Sequence, residues 1–91
     1  MRNAGERILE LRWGGAAYEG VSFADNVGGC AGVELHRTID GKRTLVAKLT
    51  FWDATGQYWL ETLGTDLPLG VISKLITTTT SFVGERIVGP S

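Results

Sequence analysis

Between Lys42 and Leu63 the chain alternates apolar and polar side chains on either side of a short polar break. Leu45, Ala47, Leu49 and Phe51 take every second position, with Val46, Lys48 and Thr50 between them. Successive side chains of a strand point to opposite faces, so this period of two predicts a β-strand with one apolar side. Asp53-Ala54-Thr55-Gly56 is turn chemistry, and Gln57–Leu63 resumes the alternation. A four-residue turn pairs Trp52 with Gln57 and fixes the rest. Phe51 meets Tyr58, Leu49 meets Leu60 and Ala47 meets Thr62 on one face. Thr50 meets Trp59, Lys48 meets Glu61 and Val46 meets Leu63 on the other. The Lys48–Glu61 pair supports this register with roughly 0.2–1 kcal/mol.

The same pattern extends upstream. After a loose start at Met1–Gly5, Glu6–Trp13 alternates, with Leu9, Leu11 and Trp13 on one side and Ile8, Glu10 and Arg12 on the other. Gly14-Gly15 ends it. Ala17–Ala24 reads as a short strand in which Gly20 marks a bulge or a close approach. Val33–Ile39 is a further strand, joined to Lys42 through Asp40-Gly41. A two-residue turn there pairs Ile39 with Lys42 and, by simple alternation, sets Glu34 and His36 on the face of Leu45 and Ala47. Burying an unpaired carboxylate costs several kcal/mol. The expectation is therefore a three-residue Ile39-Asp40-Gly41 turn pairing Thr38 with Lys42, Leu35 with Leu45 and Val33 with Ala47.

Past Leu63 the period changes. Ile72, Leu75, Ile76, Thr79, Phe82 and Val83 recur at helical spacing. Thr65 or Asp66 is placed to cap the helix, and Pro68 is tolerated in its first turn. Four consecutive threonines, Thr77–Thr80, lower helix propensity. The expected helix runs to about Thr80; the alternative ends near Ile76 with the threonines extended. Gly84 is the expected stop, Glu85–Val88 a short edge strand and Gly89-Pro90-Ser91 a tail. The predicted fold class is α+β: one domain over residues 1–91, an antiparallel meander of four or five strands, and one C-terminal helix packed on one sheet face. Its expected core is Leu9, Leu11, Leu35, Leu45, Leu49, Phe51, Leu60, Ile72, Leu75 and Ile76.

Composition narrows the function by exclusion. A net charge of −1 lacks the basic excess of a sequence-independent nucleic-acid binder. Arg37, Lys42, Arg43 and Lys48 make a local basic edge around Asp40-Gly41, which reads as a solvated hairpin guarding against edge pairing. A single cysteine, Cys30, precludes an intramolecular disulfide and fits a reducing, cytoplasmic location. No early apolar run has the length of a signal peptide, and none approaches a membrane span. Six of the thirteen glycines lie between Gly14 and Gly32. Gly28-Gly29-Cys30-Ala31-Gly32 has neither phosphate-loop spacing nor a following helix. His36 stands alone mid-strand, and Cys30 has no base beside it. Asp53, Glu61, Asp66 and Glu34 are scattered. No catalytic residue, cofactor or metal is assigned, and the expectation is a non-enzymatic protein.

Three readings remain. The first is an interaction module, a homodimer joined through an edge strand or through the face the helix leaves open, with Val46, Trp52, Trp59 and Leu63 as interface residues. The second is a single-stranded nucleic-acid binder, with bases stacked on Trp52, Trp59 and Tyr58 and phosphates near Arg37, Arg43 and Lys48. In order of elements, a curved antiparallel sheet followed by a helix resembles the whirly and Pur-type families of single-strand binders. The alternation itself sends Tyr58 and Arg37 to the opposite face. The third is a small-ligand pocket under the glycine-rich loop, lined by Trp13, Tyr18 and Phe23.

Overall fold

Five antiparallel strands follow one another along the chain and lie side by side in one sheet, order β1-β2-β3-β4-β5. They are β1 Arg7–Trp13, β2 Ala16–Asp25, β3 Cys30–Ile39, β4 Lys42–Trp52 and β5 Gln57–Thr62, followed by a helix, α1, over Leu69–Val88. The computed structural model describes residues 5–88, and the expected ends before Gly5 and after Val88 lie outside it. The predicted α+β meander is the observed fold, with five strands.

The β4–β5 register is the predicted one, from Trp52↔Gln57 to Ala47↔Thr62. The β3–β4 turn is not. Ile39 pairs with Lys42 across two residues, Asp40 and Gly41, both at positive φ (51° and 78°). That conformation matches the twist of a two-residue hairpin. The three-residue expectation ignored a second way to change face. Leu35 pairs with Ala47 while His36 pairs with Leu45, so Val46 is an extra residue, a β-bulge. Beyond it Val33 faces Leu49 on the helix side, and Glu34 pairs with Lys48 on the other. The carboxylate stays out of the core by the bulge rather than by the turn.

β1 carries a matching irregularity. Arg7 pairs with Val21 and Leu9 with Gly20, so Ile8 is the inserted residue. Ile8 and Leu9 both pack against the core, as do Val46 and Ala47. Each bulge thus adds an apolar side chain to the helix-covered face. Val46 is completely buried, and Leu45 is only half-buried and points away from the helix, reversing their expected roles.

Pro68, not Thr65 or Asp66, begins the helix: its carbonyl accepts the N–H of Val71 at 3.0 Å and of Ile72 at 3.2 Å. Thr65 instead accepts a hydrogen bond from Arg37 Nη2 at 3.2 Å. The helix also runs past Thr80 and through Gly84, so no strand forms at Glu85–Val88. Packing outweighs the weak local propensity. Val71, Leu75, Thr79, Phe82 and Val83 form the buried stripe. The Thr77 hydroxyl bonds back to the Ser73 carbonyl at 3.1 Å. This stripe is rotated from the expected one, leaving Ile72 half-buried and Ile76 exposed. Val33, Leu35, Val46 and Ala47 meet Val71 and Leu75, while Ala31 meets Phe82 and Val83. Fully burying each larger side chain contributes about 1.5–3 kcal/mol.

Candidate interaction surface

The helix packs on β1, β2, β3 and β4. Five strands at about 4.8 Å spacing make a sheet wider than one helix of about 10 Å diameter can cover. The uncovered strand is β5, exposed at every residue from Gln57 to Thr62. On the helix side it presents Tyr58 and Leu60, the latter 45% exposed where a core position was expected. On the other side it presents Trp59, 59% exposed. Trp52 sits diagonal to Trp59 on that face, next to the free Cys30 across the β3–β4 ladder. Leu63 continues the strand by donating its N–H to the Val46 carbonyl at 3.0 Å. Of the four residues predicted as an interface, Trp52, Trp59 and Leu63 lie at the surface, whereas the bulge takes Val46 into the core. Tyr58 and Leu60 were the surface residues the alternation could not separate from core. The width of five strands against one helix was the available signal. The Tyr58 ring tilts against Phe51 at 5.0 Å between centroids, and partial burial raises its hydroxyl pKa.

The open face of the sheet divides in two. Toward β1 it is ionic. Glu19 accepts from Arg7 Nη1 at 2.9 Å and lies 3.2 Å from Arg43 Nη2, and Glu10 lies 3.5 Å from Arg7. The hydrogen bond from Arg7 holds the Glu19 carboxyl below the usual carboxylate range. The same partner raises the pKa of the guanidinium. His36 pairs beside Glu19 in the ladder and lies 3.9 Å from Glu34. Its pKa is lowered, first by burial and then by Arg43, against the opposing pull of Glu34 and Glu19. Toward β5 the face is aromatic: Phe23 lies under the Lys48 ammonium at 4.8 Å, with Trp52 and Trp59 beyond.

The basic residues near the β3–β4 turn therefore do not form one patch. Arg37 is on the helix side with Thr65, Arg43 is held by Glu19 and Lys48 stands over Phe23. The proposed pocket under the glycine-rich loop does not assemble either. Tyr18 is buried beneath the helix, Trp13 closes over Gly70 on that same side, and Phe23 is on the open face. The loop itself is a tight turn in which Asp25 Oδ1 accepts the N–H of Gly28 at 2.8 Å and the Asp25 carbonyl accepts that of Gly29 at 2.8 Å. A cleft between β1 and α1 is lined by Ile8, Thr77, Thr78, Ser81 and Phe82, none of them ionisable. Among the described residues no three His, Cys, Asp or Glu side chains are grouped to hold a metal ion, and no helix is long and apolar enough to cross a membrane.

No protein-family model, no curated protein and no solved structure matches this chain.

Proposed function

We propose that this protein is a non-enzymatic interaction module that works as a homodimer, joined on its β5 side. The observation that carries this reading is the exposure of β5 on both faces and along its outer edge, with Tyr58, Trp59 and Leu60 in succession. Contiguous apolar surface of this kind marks a contact site in a soluble domain, and aromatic side chains dominate such contacts. Toward β1 the open face is held by the Arg7–Glu19–Arg43 ion pairs, whereas β5 presents large apolar side chains with no charge network over them.

Sedimentation equilibrium tests it. The expected result for the wild type is a mass near twice 9.8 kDa. Trp59→Glu places a carboxylate in the contact and is expected to return the mass to that of one chain. A wild type that sediments as a single chain at all concentrations overturns the reading.

A further inference from the structure

Resting on that homodimer reading, we propose that the partner is a second copy added strand to strand: β5 pairs antiparallel with β5 of the other subunit about a two-fold axis at Leu60, making one continuous sheet.

The bonding phase of β5 supports this. The Leu63 N–H donates to the Val46 carbonyl across the Ala47↔Thr62 pair. In an antiparallel ladder such a bond flanks a non-hydrogen-bonded pair, and the two kinds of pair alternate. Glu61, Trp59 and Gln57 therefore spend their backbone groups on β4. The N–H and C=O groups of Tyr58, Leu60 and Thr62 point outward, where no described strand meets them. Water can solvate these groups singly, but a strand of matching phase pairs with all three at once. With the axis at Leu60, Leu60 pairs with its own copy and Tyr58 pairs with Thr62 of the partner subunit. Every outward donor then meets an outward acceptor.

Side chains agree with this axis. Glu61 is the one charged residue of β5. An axis at Glu61 opposes two carboxylates, whereas an axis at Leu60 sets Glu61 against the partner's Trp59, with its own Lys48 still beside it in the ladder. An axis at Trp59 leaves Thr62 without a strand partner. Each copy carries a net charge of only −1, so the two do not repel strongly.

The two edges of the sheet are also built differently. Proteins protect edge strands with bulges and charges. β1 has both, a bulge at Ile8 and the exposed Arg7, Glu10 and Arg12. β5 has a regular ladder, no lysine, no proline and one carboxylate. That contrast assigns the unprotected edge to a constant partner, and a self-complementary strand supplies one.

Three variants in a Cys30→Ser background test the pairing. Hydrogen-bonded antiparallel partners lie about 5.5 Å apart at Cα, within disulfide range. Leu60→Cys is expected to give a covalent dimer under oxidised glutathione, and Trp52→Cys, on the open face, is not. Leu60→Pro removes an outward N–H without touching the β4 ladder, as edge strands tolerate. It is expected to give a folded monomer by circular dichroism and sedimentation. If the wild type is a dimer but Leu60→Cys fails to cross-link, or Trp52→Cys cross-links instead, the β5 pairing is overturned and the homodimer reading survives. A monomeric wild type overturns both and leaves the edge to a foreign strand.

Discussion

Gly32 lies directly against the Leu49 carbonyl, so close that any Cβ on residue 32 would overlap it and would also come within 3.0 Å of the Phe23 ring. The neighbour is backbone in the middle of the sheet and cannot step aside as a side-chain tip can. Gly32→Ala is expected to cost about 3 kcal/mol or more, by urea denaturation. At Gly20 a Cβ would meet Leu9 and Val33 side-chain atoms at 2.9 Å, a milder conflict worth about 1–2 kcal/mol. Gly15, with open space and no positive φ, is the control, and Gly15→Ala is expected to leave stability unchanged or slightly raised. Equal costs at all three would contradict the β2–β3–β4 packing.

The bulge at Val46 has its own signature. By alternation alone Leu45 belongs to the core and Val46 to the open face. Val46 is instead fully buried among Val71, Leu75 and Leu35. Val46→Ala is expected to destabilise by about 2 kcal/mol and Leu45→Ala by about 1 kcal/mol or less. The reverse order in thermal melts would mean the strand runs without the extra residue.

Thr79 is completely buried, and its Oγ1 has no hydrogen-bond partner among the described residues. A buried hydroxyl without a partner costs more than the apolar group of the same shape. Thr79→Val is expected to hold stability or raise it by about 1 kcal/mol. Thr79→Ser keeps the hydroxyl, removes the methyl and is expected to lower it. Measured loss on Thr79→Val would show that the hydroxyl has found an acceptor in solution.

Stability is expected to fall on acidification in two separate steps. His36 titrates below its ordinary 6.5 in the folded chain because burial and Arg43 disfavour the imidazolium. As pH falls through 6.5 the unfolded chain takes up the proton first, so stability is full above 6.5 and declines until the folded pKa is passed. Glu19 also titrates low, from an ordinary 4.5, through its hydrogen bond with Arg7, so its contribution is full above 4.5 and is lost further down. His36→Gln is expected to abolish the upper step and keep the lower one, in denaturant melts between about pH 7.5 and about pH 3. A pH profile unaltered by His36→Gln would place the upper step elsewhere.

Much of the fold was legible because it is written in local period. Leu45 to Leu63 alternate around one turn, and their ladder is the predicted one from Trp52↔Gln57 to Ala47↔Thr62. The change to helical spacing after Pro68 announced α1, and the chain's α+β class followed from that order of elements. Trp52, Trp59 and Leu63 could be placed at the surface by the same arithmetic.

Tertiary structure decided what period cannot express. A bulge inserts a residue without changing its neighbours' identity, so Val46 and Ile8 went to the core by packing against α1. The two-residue turn at Asp40-Gly41 became acceptable only because that bulge turned Glu34 back to the open face. Helix length was likewise set from outside: Phe82 and Val83 found the sheet at Ala31, and their burial carried the helix through four threonines and a glycine. The exposed β5 is a matter of width. Alternation marks Leu60 as apolar-facing, and only the helix's position over β1–β4 determines that none of the described residues covers it.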